Sequence, residues 1–479
     1  MWYNYLASDK AQITVTTEEK MIHDNAWTIY GAEDLEELEK LSADYIGFLN
    51  NGKTERECAA QLVEMAKGKG YRDLAEIIAN DEKLASGDKV YAVNMDKMVM
   101  MVNIGEDIIR DGMNILGAHI DSPRLDIKQN PLYESDELAY FDTHYYGGIK
   151  KYQYVTMPLA LHGVVVKTDG TKVRICIGEK DDDPVFIISD ILIHLAEEQM
   201  KKVVSTAIEG ESLDILVGSK PLKGKDKDAV KAFILDLLKK EYDIEEDDFI
   251  SAEIEAVPAG RAKEAGFDRS MIAGYGQDDR CCAYPSAAAM LDVADPKTTS
   301  CGLFVDKEEI GSVGATGMES HFFEDMMREI LDRMGIYSEL NLARCLRNSR
   351  MLSSDVSAAY DPLYADRFEK KNAAKLGHGL AFNKYTGARG KSGANDANPE
   401  YLGIIRQALD KHGVVYQTSE LGKVDAGGGG TIAYILSLYG MQVVDCGVPV
   451  LSMHAPWETI SKSDLYEAYK GYKAFLIEC

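Results

Sequence analysis

The sequence is short of positive charge. Its 479 residues include 53 lysines and arginines against 79 aspartates and glutamates, a net charge of −26. A protein that holds nucleic acid gains affinity by neutralising phosphates with Lys and Arg, so this balance excludes that partner. An anionic membrane surface is excluded on the same ground. Long apolar runs are missing too: no stretch approaches the roughly 18 consecutive residues a membrane span needs. Met1 to Asp24 has no basic start followed by an apolar core, so no signal peptide is expected. The eight cysteines are scattered, with no CxxC pair. That removes zinc ribbons and leaves reduced, mostly buried thiols of a cytoplasmic protein as the expectation. There is no GxGxxG, and although Gly390-Lys391-Ser392 ends like a P-loop, Tyr385 stands where that loop requires glycine.

What is present is ordinary for a folded chain: 46% hydrophobic and 28% charged residues. The length predicts two or three domains. Leu35, Leu38, Leu41, Tyr45, Phe48 and Leu49 recur at helical spacing, and Thr54 with Glu57 forms a capping box for a second helix. Strands are predicted near Val90–Val93, Met98–Val102 and Asn114–His119. From Asn130 the texture changes. Leu159–Lys167, the turn Asp169-Gly170 and alternating Thr171–Ile177 read as a hairpin. Asp190 is expected to cap a helix through Ile193 and Leu195, Lys220–Lys227 to be an exposed loop, Ala229–Lys240 a helix, and Phe249–Val257 a strand. Residues 130–261 therefore read as a separate α+β module between 1–129 and 262–479. After Gly274, strands (Gly302–Val305, Val414–Thr418, Gln442–Cys446) alternate with helices (Cys281–Leu291, Phe322–Met334, Leu340–Arg347, Tyr401–Lys411, Thr431–Leu438, Asp464–Leu476). Such alternation implies an α/β layered domain with a largely parallel sheet.

Histidines are scarce, nine in all, and two stand out by position. His119 ends an apolar strand, with Asp121 two residues on, where it can take the second imidazole N–H and fix the tautomer. His454 closes the apolar run Val450-Leu-Ser-Met. Carboxyl ends of parallel strands are where ligands collect. Carboxylates share that placement: Asp278 and Asp279 before a helix, Glu308 and Glu309 after a strand, and Asp355 after Met351–Ser354. Each alone reads as a helix cap or a solvated loop acid, and each histidine alone as a satisfied core residue. Together they offer metal donors and, in the pair Glu308-Glu309, one carboxylate for the metal and one to take a proton from water. Asp278, Glu309 and Asp355 supply three negative charges against the four positive charges of two Zn²⁺. The leftover positive charge would polarise a carbonyl. A mixed His/carboxylate set suits zinc, and manganese or cobalt also fit it.

Five blocks carry a resemblance to the M18 family of metallo-aminopeptidases, which includes the aspartyl and vacuolar aminopeptidases. They are Gly117-Ala-His-Ile-Asp-Ser-Pro123, Gln277-Asp-Asp279, Asp306-Lys-Glu-Glu-Ile-Gly-Ser312, Ser353-Ser-Asp355 and Leu451-Ser-Met-His454. The resemblance implies a zinc-peptidase-like three-layer α/β sandwich interrupted by a smaller β-rich dimerisation domain. It implies that His119, Asp278 and Asp355 hold one metal, and that Asp278 bridges to a second held by Glu309 and His454. It makes Glu308 the general base and Asp121 the residue that orients His119. It further implies two Zn²⁺ per subunit, peptide substrates and a homo-oligomer, in the family commonly a tetrahedral dodecamer. The segment Leu380–Lys384 places Asn383 where the aspartyl enzymes are expected to carry a substrate-binding lysine, with Lys384 one step on. Lys384-Tyr-Thr-Gly-Ala-Arg-Gly-Lys and Asp425–Thr431 resemble the bacterial and vacuolar branch, which can favour neutral residues. Acidic and neutral N-terminal residues thus both stay open. Lys384, Arg389 and Lys391 could bind an acidic side chain or form an exposed basic loop. The run that includes Gly429 and Gly430 could offer backbone N–H groups to substrate or simply lead into a helix. A peptidase fold kept for assembly alone, and a carboxypeptidase or deacylase on the same centre, are the remaining alternatives.

Overall fold

A computed structural model of the chain describes residues 24–387, 392–425 and 427–479. Its centre is a nine-stranded sheet. In spatial order the strands are Arg72–Asp73, Lys89–Asn94, Met98–Asn103, Thr299–Val305, Met113–His119, Arg350–Ser354, Gln442–Gly447, Leu380–Asn383 and Tyr416–Ser419. From Thr299–Val305 through Met113–His119 and Arg350–Ser354 to Gln442–Gly447 the strands run parallel. Every residue of Met113–His119 and of Thr299–Val305 is buried. Strands covered on both faces read as continuous apolar runs, which is why these two are visible in the sequence. Leu303 and Val305 join one apolar layer and Phe304 the other, as pleated geometry requires. The Phe304 layer packs under helices Ala32–Asn51, Gln277–Asp292 and Lys462–Glu478, through Tyr45, Phe48, Tyr472 and Phe475. The opposite layer packs under Phe322–Arg333 and Glu339–Asn348, through Met327, Ile330 and Leu346. The result is a helix–sheet–helix sandwich.

Residues 124–258 supply a second, six-stranded antiparallel sheet: Lys172–Ile177, Leu159–Val166, Ala252–Pro258, Arg124–Ser135, Leu138–Tyr146 and Ile215–Gly218. It has its own core around Leu125, Phe141, Tyr154, Leu161 and Phe249. The expected hairpin is there, pairing Leu161 with Ile177 and Val166 with Lys172. A five-stranded sheet built from Lys263–Ala265, Met271–Gly274, Glu458–Ser461, Pro449–Leu451 and Ser357–Ala358 borders the sandwich.

The Thr54–Glu57 capping box forms as expected, with the Glu57 amide donating to Thr54 Oγ1 at 3.2 Å. The Asp190 cap does not. Its carboxylate accepts from the Ile191 amide and from Gln199 Nε2, both at 2.8 Å, and only a 3₁₀ turn, Ile193–Leu195, follows. Leu192, Ile193 and Leu195 are exposed, so no apolar face holds a longer helix there. Phe249 lies in a 3₁₀ turn, Glu246–Ser251, and the predicted strand starts after it, at Ala252–Pro258.

Candidate metal centre

The expected site residues converge at the carboxyl ends of the parallel strands. His119 is the last residue of Met113–His119, and Asp355 directly follows Arg350–Ser354. Glu308 and Glu309 occupy the 3₁₀ turn Glu308–Ile310, entered from Thr299–Val305 through left-handed Lys307 (φ +70°). Asp278 and Asp279 have non-helical backbone in the first turn of Gln277–Asp292 and are joined by a cis peptide bond. His454, itself left-handed (φ +63°), lies between Pro449–Leu451 and Glu458–Ser461. Left-handed non-glycine residues such as Lys307 and His454 gather where the surrounding structure must aim side chains.

Both imidazoles are aimed the same way. His119 Nδ1 faces Asp121, 3.1 Å from its carbonyl and 3.3 Å from Oδ1. His454 Nδ1 donates to the Gly148 carbonyl at 2.8 Å. An acceptor at Nδ1 leaves the lone pair on Nε2. The two Nε2 atoms flank one carboxylate: His119 Nε2 is 3.1 Å from Asp278 Oδ1, and His454 Nε2 is 3.4 Å from Asp278 Oδ2. Glu308 Oε2 and Asp355 Oδ1 lie 3.9 and 4.0 Å from His119 Nε2, and Glu309 Oε2 lies 3.7 Å from His454 Nδ1. Asp121 accepts from the amides of both Glu308 and Glu309 at 3.2 Å, which ties the acidic turn to the His119 strand.

The cluster holds more negative charge than its protein surroundings balance. The ion-pair partners of Asp278, Glu308, Glu309 and Asp355 among the described residues are histidines alone. Asp278 Oδ1, Asp279 Oδ1 and Glu309 Oε1 are buried with no hydrogen-bond donor. Burial, with Asp278 close by, holds the Glu309 carboxyl well above the usual range. Burial and the nearby Glu308 do the same to Asp355. Glu308 is pushed up to about 7 by burial, against the pull of His119. For His119, burial would lower the imidazole, but Asp121 and Asp278 hold it well above its ordinary value. Buried carboxylate oxygens without donors, facing the Nε2 atoms of two imidazoles, form a donor set that a divalent cation fits.

Three participants escaped the sequence. Glu458 Oε2 accepts from the Asp278 amide at 3.0 Å and Oε1 from the His454 amide at 2.7 Å, so one buried carboxylate clamps both segments. Tyr146 donates to Asp121 Oδ2 at 2.8 Å, and Gly148 holds His454. No local pattern marks them, because each acts across the chain. Lys384 is exposed and sends its ammonium to the Tyr385 hydroxyl at 2.9 Å. The Gly429 carbonyl accepts from the Gly387 amide at 2.8 Å, joining the two glycine-rich stretches, and Gly430 is exposed. Nothing in this geometry joins Lys384, Gly429 or Gly430 to the cluster, and Arg389 and Lys391 lie outside the described residues.

A second histidine cluster is already satisfied. His162 sits beside Cys176, but its nitrogens are taken by Glu57 (2.9 Å) and Glu179 (3.2 Å), with Lys53 Nζ 3.5 Å from Glu179.

Residues 48–476 match the family model of the aminopeptidase I zinc metalloproteases, M18. A probable M18 family aminopeptidase 1 of Clostridium acetobutylicum is 59% identical over 453 residues, 94% of this chain and 97% of the relative. One from Thermotoga maritima is 44% identical over 458 residues, 95% and 99% of the two chains. The crystal structure of a Thermotoga maritima M18 aminopeptidase superposes with a TM-score of 0.91 at 43% identity, over 96% of this chain and all of the other. That of aminopeptidase I from Clostridium acetobutylicum gives 0.88 at 56% identity, over 94% and 98%. The yeast mApe1 dodecamer shares the fold at 17% identity and a TM-score of 0.71, over 91% of this chain and 96% of that one.

Proposed function

The chain belongs to the M18 family of zinc metallo-aminopeptidases, and from that premise we propose how its residues divide the work. The activity is metal-dependent hydrolysis that releases the N-terminal residue of a peptide. The chain would hold two divalent ions, Zn²⁺ by the family and with donors that also accept Mn²⁺ or Co²⁺. His119 and Asp355 would hold one ion, Glu309 and His454 the other, and Asp278 would serve both. The observation that carries this division is Asp278 lying between two Nε2 atoms, one on each of its oxygens. When bound, the ions supply Lewis acidity, polarising the scissile carbonyl and acidifying water.

Glu308 is the general base. It takes a proton from the attacking water at its carboxylate and gives it to the departing amine, so the carboxylate is regenerated each turn. Its backbone amide is fixed by Asp121, which also holds His119, so base and ligand move as one piece. The strand ends that carry these groups come from a sheet buried on both faces, which limits their drift.

The division into 1–129 and 262–479 as peptidase domain, with 130–261 as a dimerisation module, is part of the same reading. Its support is the separate core of the second sheet and the exposed apolar run of Ile191, Leu192, Ile193 and Leu195. A homo-oligomer, as large as the dodecamer of the yeast relative, follows from that surface, and light scattering of the purified chain tests it. The cytoplasm is the compartment that suits eight unpaired thiols. No helix among the described residues is long and apolar enough to cross a membrane.

The decisive experiment is hydrolysis of Asp-, Glu-, Leu- and Lys-anilides with and without chelator, alongside metal analysis. Release that chelator abolishes and two equivalents of divalent metal restore supports the reading; saturation at one equivalent overturns the two-metal assignment. If Lys384 recognises an acidic side chain, Asp and Glu lead the panel. Leu in the lead removes that role.

A further inference from the structure

The second sheet ends inside the metal centre. Its strand Leu138–Tyr146 delivers the segment Tyr146-Gly147-Gly148 against the outer side of both histidines. We propose that this segment is a positioning element of the centre, Tyr146 acting on His119 through Asp121 and the Gly148 carbonyl acting directly on His454. The proposal rests on the reading of His119 and His454 as metal ligands.

Tyr146 is gripped on both sides. Its hydroxyl donates to Asp121 Oδ2 at 2.8 Å, and the Arg124 guanidinium lies 3.9 Å from its ring centroid. Arg124 is in turn buried between Glu55 and Glu255. The phenol is thereby held at its hydroxyl and across its ring, and Asp121 keeps Oδ1 toward His119. Asp121 also receives the Glu308 and Glu309 amides, so the Tyr146 hydroxyl completes a carboxylate that aims a ligand and the base together. Outer partners of this kind fix the tautomer and orientation of a ligating imidazole.

The two glycines let the segment come this close. Gly147 takes a left-handed φ of +72°, and a β-carbon there would stand 3.2 Å from Glu309 Oε2. A β-carbon on Gly148 would stand 3.4 Å from His454 Nδ1. A side chain at Gly147 would be strained and would crowd Glu309, whereas one at Gly148 would just reach van der Waals contact with His454. The module read as serving assembly thus contributes to the shell that shapes the reaction centre.

The test uses the full-length chain, stripped of metal and titrated with Co²⁺, whose visible spectrum reports coordination geometry. Tyr146→Phe removes one hydroxyl. Tyr154→Phe removes another from the same module, one that donates to the Pro123 carbonyl at 3.2 Å instead of to a site carboxylate. Tyr146→Phe is expected to weaken Co²⁺ binding about tenfold or more, alter the spectrum, and lower kcat more than it changes KM. Tyr154→Phe is expected to match wild type. Gly147→Ala is expected to disturb the spectrum from the Glu309 side, and it carries the test if Tyr146→Phe does not fold. Wild-type affinity and spectrum in Tyr146→Phe, or an equal change in Tyr154→Phe, overturns the proposal. A wild-type chain that binds no Co²⁺ sinks the metal reading beneath it, a result that cannot be confused with the first.

Discussion

Two buried acidic clusters lie close together in this protein, and they differ in what balances them. Glu55, Glu253, Glu255 and Asp126 surround Arg124 and Lys97. Arg124 reaches Glu55 at 3.3 Å, Glu255 at 3.0 Å and Asp126 at 2.9 Å, and Lys97 pairs with Glu55 and Glu253. Among the described residues, the cluster of Asp278, Glu308, Glu309 and Asp355 has only imidazoles for ion-pair partners. Three glutamates of the first cluster are as closely grouped as the ligands of the second. Carboxylate density therefore does not by itself tell the two apart; the Arg and Lys partners of the first do. The first cluster has a guanidinium and an ammonium of its own, although burial still holds Glu255 well above the usual carboxylate range; the second, in the proposed reading, would take its cations as added ions.

That contrast breaks most sharply at Glu308. Glu308→Gln keeps the metals, whose proposed ligands are untouched, and loses turnover by about 10²- to 10⁴-fold. Steady-state rates with metal analysis on the same sample check this, and a variant of unchanged rate removes Glu308 as the base. Next is Arg124→Met, which strips the balanced cluster of its central cation and leaves Glu55 and Glu255 without it. Destabilisation of about 3–5 kcal/mol is expected, read by denaturant unfolding. Added Zn²⁺ should not restore it; full rescue by zinc would show the two clusters to be interchangeable.

The smallest expected effect concerns pH. Burial and neighbouring carboxylates raise the Glu309 and Asp355 carboxyls, and Glu308 stands at about 7. The metal-free folded state thus holds protons that the unfolded chain releases above about pH 4. Their contribution to stability is present at low pH and lost as pH rises through the raised values. Bound metal takes the place of those protons. The stability gap between zinc-loaded and chelated protein, read by denaturant unfolding, should therefore widen from pH 5 to pH 8, toward the ~2.7 kcal/mol expected at a hundredfold excess over Kd. A gap independent of pH would mean the acids are already ionised without metal.

Much of this was legible in the sequence because it is local. The apolar runs ending at His119 and Val305 announce buried parallel strands, and the Thr54–Glu57 box announces a helix start, each within a few residues. Local reading failed where a neighbouring element decides, as at Asp190, whose carboxylate is drawn to Gln199 and whose apolar followers find nothing to pack on. Glu458 was invisible for the same reason: it looks like any loop acid until Asp278 and His454 are brought to its two oxygens.

The sequence by itself determined the inventory: strand-end histidines and carboxylates, a deficit of basic charge, and the order of the pieces along the chain. Those follow from hydrophobic periodicity and residue chemistry, which span only a few positions. Tertiary structure decided orientation and balance. Which nitrogen of His454 faces the acids depends on a carbonyl 306 residues away, and which acidic cluster stays short of cations depends on where Arg124 and Lys97 come to rest. Hydrogen bonds and charge compensation act over a few ångströms of space, and only the folded chain sets those distances.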